Sequence, residues 1–132
     1  MIATPLNHGV DQYNNPDNAD AYVATLAPEI WQQTSGRVTH FVSGGSTGGT
    51  VTGTGRFLKA ANPDVRVVMA DPQGSVFWDH FVNGVPEQDL VAEGWEMEGV
   101  GKDTIPGWDE QTSLAISFTV YNPSCVESHD VL

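Results

Sequence analysis

The residues best suited to chemistry form one run. From Gly44 to Thr50 the chain reads Gly-Gly-Ser-Thr-Gly-Gly-Thr, between an apolar stretch and a helix-forming one. A phosphate group needs several N–H donors converging on one point. Glycines permit this, because they remove the side chains that would block the approach and allow positive φ. A following helix adds unpaired N–H groups and the positive end of its dipole. Ser46, Thr47 and Thr50 add hydroxyl donors. No Lys or Arg lies inside or just beside the run, so an anion there would be held mainly by backbone. Two well-known phosphate signatures do not fit. A Walker A loop ends in Gly-Lys-Ser/Thr, and this run ends in Gly-Gly-Thr. A dinucleotide fingerprint is Gly-x-Gly-x-x-Gly, and Ser46 occupies its second glycine position. From spacing alone, a close-packed turn without a ligand is the alternative.

Other chemistry-bearing residues are weaker. Asp79-His80 beside Trp78 has no third ligand at useful spacing, which predicts a surface loop and no metal. His40 falls within a strand pattern, which favours a structural role. Cys125 with His129 lacks an orienting group in register, so no nucleophile–base pair is expected. The five acids from Glu87 to Glu98 read as a solvated face. No catalytic residue is assigned from these.

The elements that would position the glycine-rich run can be read from periodicity. Residues 1–16 form an opening loop. Asp17–Val23 is a short helix, with Asp17 near its N-cap. Thr25 caps a second helix, with Pro28 in its first turn, and Gly36 ends it. Val38–Val42 is short, β-branched and aromatic, and reads as a strand. Val51, Phe57, Leu58 and Ala61 share a helical face after the run, and Asn62-Pro63 stops that helix. Gly53 and Gly55 would each weaken an exposed helix by roughly 1 kcal/mol, which predicts close packing against a neighbouring backbone. Val65–Ala70 is a second strand, ended by Asp71-Pro72. Strand, helix and strand in succession predict a βαβ unit, a parallel sheet and an α/β fold. Val76, Phe77, Trp78 and Phe81 read as an apolar turn, Gly99 to Gly107 as a loop, and Leu114–Tyr121 as a strand.

Composition narrows the function classes. The 132 residues suit one domain of ordinary size. Asp plus Glu number 17 against 5 Lys plus Arg, a formal net charge of -12, so nucleic acid and anionic membranes are not expected partners. One cysteine excludes an intrachain disulfide and points to a reduced compartment. Met1 to Val10 has neither the basic nor the apolar region of a signal peptide. No stretch approaches the roughly 18 apolar residues of a membrane span. A cytoplasmic protein is the expectation.

Several ordered segments carry a family likeness. Asp11-Gln12-Tyr13-Asn14-Asn15-Pro16-Asp17-Asn18 is similar to a Gln-Tyr/Phe-x-Asn-x-x-Asn segment. Thr25, Pro28-Glu29-Ile30 and Gly36 continue the match. Ser46-Thr47-Gly48-Gly49-Thr50, Val51-Thr52-Gly53, Arg56 and Leu58-Lys59 follow. Asp71-Pro72-Gln73-Gly74-Ser75 and Glu98-Gly99-Val100-Gly101-Lys102-Asp103-Thr104-Ile105-Pro106 complete it. Residues 11–107 thereby resemble the cystathionine β-synthase and cysteine synthase group of pyridoxal-phosphate enzymes, of fold type II. The resemblance implies that the chain corresponds to the cofactor-binding half of such an enzyme.

The same resemblance implies roles. Ser46, Thr47, Gly48, Gly49 and Thr50 would wrap the phosphate of pyridoxal 5'-phosphate. Gly99, Val100 and Gly101 would lie along the cofactor edge. Gln12 would face the carboxylate of a small amino-acid substrate. The family reaction activates serine or an acetylated serine, eliminates at Cβ and adds a thiol. Ser46 departs from the family's usual glycine, and Tyr22 stands where a histidine is common. The family's Schiff-base lysine lies upstream of the Gln-Tyr segment, where only Met1 to Val10 stand. Lys59 and Lys102 match non-catalytic positions. Residues 1–107 are therefore expected to form a partial β-synthase-like domain, with 108–132 a divergent tail. The chain would keep the cradle without independent catalysis. A homo-oligomer or a complementary chain would be its partner. A non-catalytic phosphate-binding or partner-pairing module is the alternative.

Overall fold

A computed structural model describes residues 11–106 and 118–121. Helix α1 spans Asp17–Ala24 and α2 spans Leu26–Gln33. The expected cap at Asp17 sits slightly earlier: Pro16 is the N-cap residue, and the Asn15 carboxamide oxygen accepts the Asp17 N–H at 3.0 Å. Thr25 holds the N-cap position of α2. Its hydroxyl, however, donates back to the Ala21 carbonyl at 2.6 Å, so it closes α1 instead of capping α2. Gly36, with φ of 69°, ends the α2 turn by donating its N–H to the Trp31 carbonyl at 2.8 Å.

Strand β1 covers His40–Gly44, two residues later than the β-branched pattern implied. The partner sets this register. Strand β2, Arg66–Ala70, pairs with it in parallel from His40↔Arg66 to Gly44↔Ala70. The ladder thus reaches into the glycine-rich run. Helix α3, Gly49–Ala61, crosses between the two strands, as the βαβ expectation required. Strand β3, Phe118–Tyr121, extends the sheet in the order β1-β2-β3, parallel to β2. It occupies the end of the expected Leu114–Tyr121 strand. The remainder of that segment lies outside the described residues, as do Cys125 and His129.

The core lies between α3, β2 and the segment after it. Val51, Val67, Met69, Val76, Phe77 and Ile105 bury together, with Phe41, Trp78, Phe81 and Leu90 packed around them. Val67 and Met69 alternate with more exposed neighbours, which aims one face of β2 at this core. The expected apolar turn is instead a short helix, α4, over Phe77–Phe81. Burial of Phe77 and acceptance of the Trp78 N–H by the Asp71 carboxylate at 3.0 Å hold that helical turn. Asp79 and His80 therefore lie on a helix, not in a surface loop. A single 3-10 turn, Glu87–Asp89, interrupts the acidic segment.

Glycine works here by absence. A Cβ on Gly53 would strike the Ala19 carbonyl oxygen and the Tyr22 side chain. Helices α1 and α3 therefore meet backbone to backbone at this point, the close packing against a neighbouring backbone that Gly53 predicted. The contact brings the N-terminus of α1 alongside the N-terminus of α3.

Candidate functional site

The N-terminus of α3 is a row of donors. Gly45 donates its N–H to the Ala70 carbonyl at 3.3 Å, which fixes the run to the end of β2. Gly48 is the N-cap residue of α3, with φ of 79° and ψ of -12°. In that left-handed conformation, side-chain-bearing residues are strained by about 1–2 kcal/mol. The Gly48 carbonyl accepts the Thr52 N–H at 3.0 Å and so begins the helix. The N–H groups from Ser46 to Val51 have no acceptor among the described residues. This is the expected arrangement for an anion site: consecutive open donors, the helix dipole behind them, and three hydroxyls nearby.

A second loop closes on this row. Gly101 donates its N–H to the Gly45 carbonyl at 2.6 Å. Val100 packs so closely on Gly44 that a Cβ there would lie 2.9 Å from its methyl groups. The loop is held from behind by two bonds at Lys102: Val76 donates its N–H to the Lys102 carbonyl at 3.0 Å, and Lys102 donates its N–H to the Ser75 hydroxyl at 3.0 Å. Gly99, Val100 and Gly101 are thereby brought to the C-terminal end of β1, where open α/β sheets place their ligands.

Gln12 arrives from a third direction. It sits in a turn closed by the Asn14 and Asn15 N–H groups on the Asp11 carbonyl, at 3.2 and 2.9 Å. Its side chain is exposed. The Asn18 side chain links this turn to the cradle: its Nδ2 donates to the Gln12 carbonyl at 2.8 Å and to the Thr47 hydroxyl at 3.2 Å. The sequence singled out Asn18 only as the last member of a motif. Its position six residues after Gln12, in the first turn of a helix, was the available signal. The Lys102 amine lies 4.5 Å from the centre of the Tyr13 ring and 3.1 Å from the Asp103 carboxylate. Lys102 lowers the Asp103 pKa by donating to that carboxylate.

Asp71, read from the sequence as a strand terminator and as the first residue of a family-like segment, was given no chemical role there. It is 2% exposed, and one carboxylate oxygen has no partner among the described residues. Burial pushes its pKa up, more strongly than the Ser75 hydroxyl and the Trp78 N–H pull it down, and the nearby Asp79 charge adds to the rise. Its burial arises from the packing of α4, which no local pattern announces.

An open cleft of about 480 Å³ lies apart from the cradle, lined by Pro72, Gln73, Glu93, Gly94, Trp95, Glu96 and Met97. Its charged groups are carboxylates, which do not suit an anion. No cluster of metal-ligating side chains occurs among the described residues. His80 instead bonds through Nδ1 with the Val85 carbonyl at 3.0 Å, and Asp79 accepts from Asn83 at 2.8 Å. No described helix is long and apolar enough to cross a membrane.

Comparison with known proteins shows the family and the fold. The family described as "Pyridoxal-phosphate dependent enzyme" matches residues 6–119. Cystathionine beta-synthase of Apis mellifera is 39% identical over 99 residues, which is 74% of this chain and 18% of that protein. Cysteine synthase B of Salmonella typhimurium is 53% identical over 64 residues, 48% of this chain and 21% of that protein. Among solved structures, the O-acetylserine dependent cystathionine beta-synthase from Helicobacter pylori superposes with a TM-score of 0.66 at 34% identity. That superposition covers 86% of this chain and 33% of the other. The chain thus spans about a fifth of the length of the two relatives and about a third of the solved structure.

Proposed function

The chain belongs to the pyridoxal-phosphate dependent enzyme family, and from that premise we propose that its glycine-rich turn is the phosphate cradle of a β-replacement enzyme. The observation that carries this reading is the unbroken row of open N–H donors from Ser46 to Val51 at the start of α3. Ser46, Thr47, Gly48, Gly49 and Thr50 hold the phosphate of pyridoxal 5'-phosphate. Gly99, Val100 and Gly101 form the wall beside the ring, held there by the bond from Gly101 to Gly45. Gln12, exposed at the rim, faces the carboxylate of an amino-acid substrate. Bound in this cradle, the cofactor supplies an electron sink for chemistry at the substrate's α and β carbons. The reaction class is replacement at Cβ of serine or an acetylated serine by a thiol, in the cytoplasm.

The described residues bind and orient, and we assign none of them a catalytic role. Lys59 sits toward the far end of α3, about 15 Å along the helix from Gly49, with its amine on the Pro63 carbonyl at 3.1 Å. Lys102 is engaged by Asp103 and the Tyr13 ring. Neither amine stands free at the cradle. These 132 residues are therefore expected to bind the cofactor without turning over serine.

A second reading has its own support. The burial pattern of β1 alternates between exposed and half-buried residues, and Val42 is 63% exposed. Parallel sheets are ordinarily covered on both faces. This favours a module that pairs with a complementary chain or a second copy.

Titration with pyridoxal phosphate and with inorganic phosphate, followed by borohydride reduction and mass spectrometry, tests the proposal. Binding of both ligands in competition, with no covalent adduct, is the expected result. A reducible lysine adduct together with serine turnover would overturn the non-catalytic assignment. Failure of both ligands to bind would remove the cradle and leave the pairing module.

A further inference from the structure

Asn18 touches both the substrate-side turn and the cradle, and its chemistry constrains a proton. The Gln12 carbonyl can only accept, so the Asn18 atom facing it at 2.8 Å must be the amide nitrogen. The same nitrogen faces Thr47 Oγ1 at 3.2 Å, so the Thr47 hydroxyl accepts there and keeps its own proton. Asn18 Oδ1 packs against Gly49, where any Cβ would collide with it. The carboxamide is thus locked on three sides.

We infer that Asn18 is a positioning residue that orients the Thr47 hydroxyl as a donor into the anion cradle. Because one nitrogen serves both contacts, it also ties the register of the Gln12 turn to that of the cradle. This rests on the cradle reading above. The Thr47 hydroxyl then offers its proton to a bound phosphate, a charge-assisted bond of the stronger kind. Glycine at position 49 follows from the same arrangement, since the carboxamide occupies the space a side chain would need.

The test uses the full chain, with inorganic phosphate and pyridoxal phosphate as probes, and reads dissociation constants and the ³¹P shift of the bound phosphate. Asn18→Asp is isosteric and keeps the packing against Gly49. Its carboxylate accepts the Thr47 proton and turns it away from the cradle. Phosphate affinity is expected to fall by about tenfold or more, the equivalent of one lost charge-assisted bond, with a displaced ³¹P signal. Asn18→Ala leaves the hydroxyl free to rotate, and a fall of about threefold is expected. The decisive arm repeats Asn18→Ala in a Thr47→Val background, where the further loss should vanish. An equal loss from Asn18→Ala with and without the Thr47 hydroxyl would overturn the inference, because Asn18 would then act only by holding α1. Unchanged affinity in both Asn18 variants would overturn it too. If the unaltered chain binds neither probe, the cradle reading itself fails and takes this inference with it.

Discussion

Two sets of glycines in this chain behave oppositely. Around the cradle, Gly44, Gly45, Gly49 and Gly53 each face a neighbour that a Cβ would strike: Val100, Met69, Asn18 and the Ala19 carbonyl. In and just before the acidic segment, Gly94 and Gly84 have nothing within 4 Å of the same position. The first set exists because three parts of the fold, the Val100 loop, β2 and α1, converge on the turn and the start of α3. The second set serves only an exposed backbone. An occupied Cβ position therefore marks a glycine at which distant elements converge, whereas Gly48 and Gly99 are set apart by their positive φ instead.

Substitutions test this contrast directly. Gly53→Ala should have the largest effect. Overpacking a close contact costs about 1–3 kcal/mol or more, and here the obstacle is backbone, which cannot rotate away. Alanine's better helix propensity returns roughly 1 kcal/mol. A net destabilisation of about 2 kcal/mol in urea unfolding is expected. A neutral or stabilised variant would show that α1 and α3 do not meet at this point.

Asp71 supplies an intermediate case, in which what is buried is a titratable carboxyl and not a missing side chain. Its folded pKa lies above the unfolded value. The folded state therefore holds the proton more tightly, and stability is lost as pH rises through the folded value. Relative to Asp71→Asn, the native chain should lose stability as pH rises from about 4, the unfolded value, and then level off. Parallel unfolding curves at every pH would contradict a buried, proton-retaining carboxyl.

Gly94→Ala should do least. The site is open and its φ is not positive, so a change within about 0.5 kcal/mol is expected. A large loss would mean that the acidic segment packs more tightly than its exposure indicates, which thermal unfolding would reveal.

Much of the local shape of the glycine-rich turn was legible in the sequence for a local reason. Strand, turn and helix signals are written in neighbouring residues, and glycine, serine and threonine at a helix start state their chemistry directly. The crossing helix and the parallel pairing followed from the same signals. The misplacements were also instructive. Thr25 had the right residue type and position for a cap, but its hydroxyl was drawn to the Ala21 carbonyl behind it. The Val76–Phe81 segment was too short for periodicity to distinguish a turn from a helix.

The amino-acid order by itself determined the βαβ unit, the open donors at the start of α3 and the family likeness, because each depends on residues close in the chain. Tertiary structure decided the remainder. It shifted β1 by two residues, because a ladder is placed by its partner. It buried Asp71 beneath α4. It brought Gly101 onto Gly45 and Asn18 onto Thr47, contacts between residues far apart in sequence, and only packing between elements can specify such meetings.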